Sequence, residues 1–233
     1  MRIAVISDIH ANLEALQAAL RIISEHKADE IVCLGDTLGY GASPNECLDL
    51  VRSVSRHILL GNHDEAATDL SKSEYFNRYA RAAAEWTYKQ LTPENAEFIK
   101  GLPSSLEHAG LSFAHSSPFE PEEWHYVVSE DDARLNFPFF SSPICFIGHS
   151  HTPGVYCEDP AVAEVVPGKR YLINVGSIGQ PRDNDPRLSF GIVDTEPLHY
   201  ENIRAEYDVD TAAEKIIKAG LPRALAVRLY DGR

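Results

Sequence analysis

The chain has 233 residues, with 21 Lys+Arg against 35 Asp+Glu and a formal net charge of −14. Its 44% hydrophobic and 24% charged residues are typical of a folded globular protein, and we expect one domain spanning residues 1–233. The acidic balance excludes a general affinity for long nucleic acids or anionic membranes, because both require a surplus of Lys and Arg.

The sequence carries no recognisable targeting signal. The N-terminal residues lead directly into a β-like run, without the apolar segment and small-residue cleavage site of a signal peptide. No stretch approaches the roughly 18–20 apolar residues of a membrane span. The four cysteines show no CxxC spacing, so a disulfide framework is not expected. We therefore expect a cytoplasmic protein.

The N-terminal part alternates between short apolar runs and amphipathic segments. Leucines at helical spacing predict two helices, the first capped by Asn12 and the second by Ser43, which precedes a proline. In chain order we predict a strand over Arg2–Ser7, a helix over Asn12–His26, a strand over Glu30–Leu34, a helix over Ser43–Val54 and a strand over His57–Leu60. This βαβαβ order predicts a parallel sheet with helices on both faces.

The rest of the chain predicts helices first and short strands afterwards. Residues at about 66–143 are expected to form a helical and aromatic excursion. It would contain a helix over Tyr75–Leu91, a second helix capped by Thr92, a strand over Leu111–Ala114 and a short helix near Glu130–Leu135. Further strands are expected at Ile144–Ile147, Gly154–Cys157, Ala161–Val166, Tyr171–Val175, Leu188–Asp194 and Leu198–Ile203, then a helix over Val209–Ala219 and a helical tail. The short strands predict an antiparallel, β-rich second half.

Five short polar motifs each follow a predicted strand. Loops at the carboxyl ends of strands in an open α/β sheet converge on one crevice, so residues far apart in sequence can meet there. The motifs are Asp8-Ile9-His10, Gly35-Asp36, Gly61-Asn62-His63-Asp64, Ala114-His115 and Gly148-His149-Ser150-His151. Carboxylates, imidazoles and an amide suit first-row transition metals better than Mg²⁺ or Ca²⁺, which prefer oxygen ligands. Seven such ligands are too many for one ion but suit two ions that share a carboxylate, leaving His63 outside as an acid.

These motifs, in this order, resemble those of the calcineurin-like metallophosphoesterases. The segments GDTLGYG (35–41) and NVGSIGQPRDNDPR (174–187) are similar to those of the small single-domain branch found in bacteria and archaea. The resemblance spans nearly the whole chain. One position departs from it, because many superfamily members carry an acid three residues after the second-motif aspartate, where this sequence has Gly39.

The resemblance implies a four-layer α/β sandwich of two facing mixed β-sheets flanked by helices, with a dimetal site at one end. One ion would be held by Asp8, His10, Asp36 and His151, and the other by Asp36, Asn62, His115 and His149. The cofactors would be two divalent transition-metal ions, from Mn, Fe, Zn, Co or Ni, with Mn or Fe favoured. The resemblance also implies that His63 is the leaving-group acid and transition-state stabiliser, and the adjacent Asp64 is expected to orient it.

The implied function is hydrolysis of a phosphate mono- or diester by attack of a metal-bridging hydroxide. The substrate is either a phosphoprotein or a small nucleotide phosphodiester, and neither long nucleic acids nor membranes are expected as partners. The sequence predicts no oligomeric state. The alternative is a non-catalytic metal-binding scaffold on the same fold, although such scaffolds typically lose ligand or acid residues that this chain retains.

Four residues near the motifs are candidates for substrate contact. Asn12 either caps its helix or lies near a bound phosphate at the helix start. Tyr40 either lines the substrate pocket or belongs to a surface turn. Arg182 and Arg187 either bind a second phosphate or a carboxylate, or pair with the aspartates of their own loop.

Two further groups of side chains lack an assignment. The aromatic segment 119–140 is a hydrophobic lip beside His115, a buried cap or a dimer face. The remaining histidines without motif context, His26, His57, His108 and His199, are interpreted as surface or structural residues.

Overall fold

The computed structural model describes residues 1–162 and 165–233, and within these ranges it contains two five-stranded β-sheets. The strands are β1 (Arg2–Ile6), β2 (Glu30–Cys33), β3 (His57–Ile58), β4 (Ser105–His108), β5 (Leu111–Ala114), β6 (Ile144–Ile147), β7 (Gly154–Cys157), β8 (Tyr171–Asn174), β9 (Leu188–Thr195) and β10 (Leu198–Ala205). The first sheet has the order β10-β9-β1-β2-β3, and the second has the order β4-β5-β6-β8-β7.

Helices cover both sheets and fill the segments between them. They are α1 (Leu13–Glu25), α2 (Pro44–Val54), α3 (Asn62–Ala66), α4 (Arg78–Gln90), α5 (Pro93–Lys100), α6 (Glu130–Asn136), α7 (Val209–Lys218) and α8 (Arg223–Asp231). Among the described residues, none of these helices is long and apolar enough to cross a membrane.

The predicted βαβαβ unit is confirmed. β1 pairs with β2 in parallel, and β2 pairs with β3 in parallel. Asn12 caps α1 as expected, because its side chain accepts a hydrogen bond from the backbone N–H of Ala15 at 3.1 Å. The cap expected from Ser43 is not made by its side chain, although α2 begins at the following proline.

The prediction of an antiparallel second half is wrong for the centre of the second sheet. β5, β6 and β8 are mutually parallel, and only the edge strands β4 and β7 are antiparallel to their neighbours. All residues of β5, β6 and β8 are buried, and continuous apolar runs of this kind are typical of parallel strands covered on both faces. β9 and β10 belong instead to the first sheet, where β9 pairs with β1 and β10 pairs with β9.

Several local predictions differ from the structure. β4 and α3 were not predicted, since β4 is a half-exposed edge strand with an exposed–intermediate pattern and α3 has only five residues. Within the segment 66–143, β4 and β5 belong to the second sheet. Residues 163 and 164 of the strand predicted at Ala161–Val166 lie outside the described residues, and the described positions beside them form no strand.

The two sheets pack face to face between helical layers. One buried cluster joins apolar side chains of both sheets, among them Val5 and Val32 from the first and Phe113 and Phe146 from the second. α1 and α2 cover the outer face of the first sheet, and residues in and after α6 cover the outer face of the second. The fold is therefore the expected four-layer α/β sandwich, and the parallel strands of both sheets end at the same edge.

Candidate metal centre

The five motifs meet at this edge, where the structure gathers their side chains into two buried clusters that share Asp36. The potential ligand atoms within each cluster all lie within 4.8 Å of one another. The first cluster is Asp8, His10, Asp36 and His151, and the second is Asp36, His115 and His149. Asn62, at the start of α3, follows Gly61, where an added Cβ would clash with the Asp36 carboxylate. The structure thus brings the predicted ligands together across both sheets.

The distances place the Asp36 carboxylate between the two clusters. Its Oδ2 lies 3.7 Å from Nε2 of His10 and 3.4 Å from Nε2 of His115. Nε2 of His151 lies 3.2 Å from Oδ1 of Asp8 and 3.0 Å from Nε2 of His10. This arrangement suits a carboxylate that is shared by two neighbouring ions.

Backbone carbonyls orient three of the imidazoles. Nδ1 of His10 donates to Leu38 O, Nδ1 of His115 donates to Leu34 O, and Nδ1 of His151 donates to Gln180 O, at 2.8, 3.0 and 2.6 Å. A carbonyl only accepts, so each neutral ring keeps its proton on Nδ1 and presents a bare Nε2 lone pair to the centre. In the neutral forms, two lone pairs therefore face each other across 3.0 Å between His10 and His151, an arrangement that a cation would relieve.

Five buried polar atoms of this site have no hydrogen-bond partner in the part of the chain that the structure describes. They are Oδ1 of Asp8, Oδ2 of Asp36, Oδ1 of Asn62, Nε2 of His115 and Nε2 of His149. An unsatisfied buried polar group costs about 1–3 kcal/mol. All five belong to predicted ligands, and metal coordination would satisfy each of them. The donor set therefore fits divalent transition-metal ions.

The other oxygen of each carboxylate is anchored by the protein. Oδ2 of Asp8 accepts from Ser7 Oγ at 2.6 Å and from the His149 N–H at 2.9 Å. Oδ1 of Asp36 accepts from the His63 N–H at 2.8 Å. Each carboxylate is thus held by one oxygen and leaves the other free for an ion.

Backbone strain is concentrated at the same residues. Non-glycine residues rarely adopt positive φ, and this conformation has a free-energy cost. The predicted ligands with φ between 50° and 64° are Asp8, His10, Asp36, His149 and His151. The loops are thus held in costly conformations by the contacts around them, which is typical of functional sites.

The site favours anionic carboxylates. Burial opposes ionisation of Asp8 and Asp36, but the adjacent imidazoles outweigh it, so both carboxyl pKa values lie below their usual range. Burial lowers the pKa of His149 to about 3. For His115, burial acts in the same direction, but attraction to Asp36 outweighs it and raises the pKa to about 9. An ion in the second cluster would displace the His115 proton.

His63 lies beside the clusters but belongs to neither. Its ring centroid is 4.5 Å from that of Tyr40, 5.0 Å from that of His10 and 4.6 Å from that of Phe76. Burial lowers the pKa of His63 to about 4. Its Nδ1 is buried and has no hydrogen-bond partner among the described residues. This placement leaves the ring available to a ligand at the metal clusters.

Asp64 does not make the expected contact with the His63 ring. Its Oδ1 accepts from the Leu38 N–H at 2.9 Å, and its Oδ2 accepts from the Gly61 N–H at 3.1 Å. Burial raises the pKa of Asp64 to about 7. Because both oxygens bind backbone amides, Asp64 joins the second and third motif loops and can influence His63 only through the backbone.

The four substrate-contact candidates separate into two groups. Both polar atoms of Asn12 are used within the chain, because it caps α1 and its Nδ2 donates to Gly179 O at 2.9 Å. Arg187 is held by the carboxylate of Asp185, as the loop-pairing interpretation expected. Tyr40 and Arg182, in contrast, lie at the metal centre. The ring centroids of Tyr40 and His10 are 4.7 Å apart, and the Arg182 guanidinium donates to the Tyr40 hydroxyl at 3.2 Å.

Arg228 of α8 joins this group and was not anticipated. The guanidinium carbons of Arg182 and Arg228 lie 5.6 and 5.8 Å from the centre of the Tyr40 ring. Both guanidinium groups donate to Oε1 of Gln180 at 3.2 Å. Within residues 1–162 and 165–233, neither forms an ion pair with a carboxylate. Arg228 has no motif around it, and only the packing of α7 and α8 against Tyr40 brings it here.

Residues of the aromatic segment 119–140 take two of the three expected roles, a buried cap and a lip beside the metal centre. Phe137 and Phe140 are buried in the cluster that covers the second sheet, as a cap. The ring of Tyr126 lies 4.1 Å from that of His149, and the ring of Trp124 lies 5.8 Å from that of His115. These two residues form a lip beside the second cluster.

Comparisons with known proteins agree with this geometry. Residues 1–197 match the model of the calcineurin-like phosphoesterase superfamily domain. An uncharacterized protein of Methanocaldococcus jannaschii is 41% identical over 99% of this chain and 98% of its own length. The crystal structure of a metallophosphoesterase from Sphaerobacter thermophilus superposes with a TM-score of 0.89 at 38% identity, over 100% of this chain and 99% of that one. A protein of Pyrococcus horikoshii has the same fold, with a TM-score of 0.85 at 21% identity over 100% of this chain and 98% of that one.

Proposed function

This chain belongs to the calcineurin-like phosphoesterase superfamily, and from that premise we propose that it hydrolyses a small phosphate ester with the help of two divalent metal ions. Family membership and the Asp/His clusters support a metal-dependent phosphoesterase. The observation that carries the proposal is the set of five buried ligand atoms without hydrogen-bond partners, which converge around Asp36.

The residues assigned to the two ions follow the two clusters. Asp8, His10 and His151 would hold one ion, His115 and His149 with Asn62 would hold the other, and Asp36 would bridge them. Divalent ions bound here supply a nucleophile at neutral pH and neutralise the charge of the phosphoryl oxygens. The proposal names manganese or iron, both of which His/Asp/Asn ligands accept.

We assign His63 to the stabilisation of the transferred phosphoryl group or the leaving oxygen. A neutral imidazole still carries one N–H, and a donor in a buried site stabilises developing negative charge strongly. The backbone N–H of His63 donates to Asp36, so the main chain of His63 is fixed relative to the shared carboxylate. Tyr40 and Phe76 pack against the ring and restrict its orientation.

Arg182 and Arg228 support a proposal for the substrate class. Two neighbouring guanidinium groups without a carboxylate partner in the described chain favour a second anionic group on the substrate, since arginine binds phosphate and carboxylate in a bidentate manner. The exposed ring of Tyr126, beside His149, offers an aromatic surface on which a base can stack. A small nucleotide phosphodiester meets both requirements. A phosphoprotein would use the arginines but not the aromatic ring.

The test is hydrolysis of bis-p-nitrophenyl phosphate and p-nitrophenyl phosphate by the Mn²⁺-loaded protein. Turnover of the diester that Asp36→Asn abolishes is the expected result. Faster turnover of the monoester would replace the diesterase proposal with a phosphatase. No turnover of either substrate by protein that retains bound metal would overturn the proposal and favour the non-catalytic scaffold.

A further inference from the structure

A second group of metal-ligating side chains lies at the opposite end of the sandwich from the candidate metal centre. It consists of Glu30, His57 and His108, whose ligand atoms lie within 4.8 Å of one another. Glu30 and His57 are the first residues of β2 and β3, and His108 is the last residue of β4. The motif loops follow the other ends of β2, β3 and β5, so the two sites are separated by the length of the strands.

The register explains why these three side chains meet. His57 pairs with Val32, and Glu30 lies two residues before Val32 on the same face of β2. That face packs against the second sheet, because Val32 belongs to the core between the sheets. His108 stands on the neighbouring edge strand of the second sheet, two residues after the half-buried Leu106. The group therefore bridges the edge strands of the two sheets.

The geometry of the group is that of an incomplete coordination shell. Oε2 of Glu30 lies 2.6 Å from Nε2 of His108 and 3.8 Å from Nε2 of His57. The two imidazole rings stack, with centroids 3.9 Å apart and an angle of 28° between their planes. Only His108 is within hydrogen-bond distance of the Glu30 carboxylate. A hydrogen bond therefore explains the position of the His108 imidazole but not that of His57. A cation between the three atoms would bind both.

The exposure of the group and its donor atoms also suit a metal ion. The three side chains are between 25% and 39% exposed, so an ion can enter without unfolding and can keep a water ligand. A pocket beside them is lined by Asp29 and Arg56 as well as by Glu30 and His57. Two nitrogen ligands and one carboxylate with an open fourth position form a donor set that zinc accepts. Zinc prefers tetrahedral geometry with ligand distances of about 2.0–2.2 Å.

We propose that Glu30, His57 and His108 form a separate zinc-binding site that joins β2 and β3 to β4 and is independent of the catalytic ions. The ion would bind side chains from both sheets and so stabilise the edge at which they meet. The proposal adds a ligand role to His57 and His108, for which the sequence alone indicated a surface or structural role. The competing explanation is that the three side chains only cover the end of the core between the sheets, held by the hydrogen bond between Glu30 and His108 and without an ion.

The first experiment counts zinc on the full chain after equilibrium dialysis against micromolar free Zn²⁺. Wild-type protein is expected to bind about one ion more per chain than His108→Gln, whatever the occupancy of the catalytic clusters. The exposed His199, which belongs to none of the three metal-ligating groups, provides the matched control, and His199→Gln is expected to bind as much zinc as the wild type. Equal zinc content in wild type, His108→Gln and His57→Gln would overturn the proposal.

The second experiment needs no variant and therefore does not depend on their folding. Crystals of the wild-type protein equilibrated with Zn²⁺ are measured on both sides of the zinc absorption edge. An anomalous peak between Glu30, His57 and His108 is expected. If the catalytic clusters of these crystals show zinc but no peak lies between the three side chains, the proposal is overturned and the group is only a hydrogen-bonded cover of the core.

Discussion

Gly39 lies directly against the imidazole of His63: a Cβ built on Gly39 would stand 2.7 Å from Nδ1 of that ring. The φ angle of Gly39 is +87°, a conformation that side-chain-bearing residues rarely adopt. The contact explains why an acid, which the family resemblance would place at this position, does not fit here: the ring of His63 occupies the space of the side chain.

Gly39→Ala is therefore expected to impair catalysis by moving His63. A displacement of about 1 Å in a catalytic group can cost on the order of 10²-fold in rate, so kcat should fall by about this factor while bound metal is unchanged. Gly110→Ala is the matched control, since Gly110 also has positive φ but a Cβ there meets nothing within 4 Å. Equal kcat in the two variants would show that the contact with His63 does not matter.

His63→Ala tests the role of the imidazole itself. We expect kcat to fall by about 10²–10³-fold, the usual cost of removing one hydrogen-bond donor from a buried site, with metal content preserved because His63 belongs to neither cluster. Metal content measured by mass spectrometry beside kcat distinguishes the two effects. If the variant lost its metals, His63 would be a ligand rather than a donor.

Arg228→Gln tests the anion-binding role of the two guanidinium groups beside Tyr40. A hydrogen bond between charged groups contributes about 1.5–3 kcal/mol, so KM for a nucleotide substrate with a second phosphate should rise at least about tenfold. KM for p-nitrophenyl phosphate should change little, because it has no second phosphate. Arg223→Gln is the control, as Arg223 is an exposed residue of the same helix. A rise in both KM values would mean that Arg228 contacts the reacting phosphate.

Asn12→Ala is expected to affect stability more than substrate binding. It removes the cap of α1 and the hydrogen bond to Gly179, and the loss of a cap costs about 1 kcal/mol. Urea denaturation of the metal-loaded protein measures this change in the free energy of unfolding. A large increase in KM with unchanged stability would instead support the phosphate contact considered from the sequence.

Metal removal should destabilise the fold. Ions that bind only the native state stabilise it by mass action, by about 2.7 kcal/mol at a concentration of 100 times Kd. The melting temperature is therefore expected to rise with Mn²⁺ concentration and to fall on chelation. In Asp36→Asn this dependence should weaken, because the substitution removes a carboxylate common to both clusters. An identical response in that variant would place the stabilising ions elsewhere.

The sequence by itself predicted the parallel βαβ unit and most of the candidate site, because both depend on patterns of neighbouring residues. Each ligand motif directly follows an apolar strand, and strand ends are readable from hydrophobic runs. Asp8, Asp36, Asn62, His115 and His149 could therefore be assigned to one edge before any contact was known. The role of Asn12 as a cap was likewise encoded by its neighbours in sequence.

The tertiary structure decided what depends on contacts between distant segments. The direction of β5, β6 and β8 depends on which strands pair, and four-residue buried runs do not specify their neighbours in the sheet. Arg228 reaches Tyr40 only through the packing of the C-terminal helices, and no local pattern marks it. Glu30, His57 and His108 meet because two sheets align their edges, a relation that side-chain spacing along one strand does not contain. Local patterns specify strand ends and caps, whereas the meeting of separate elements is set by packing of the whole chain.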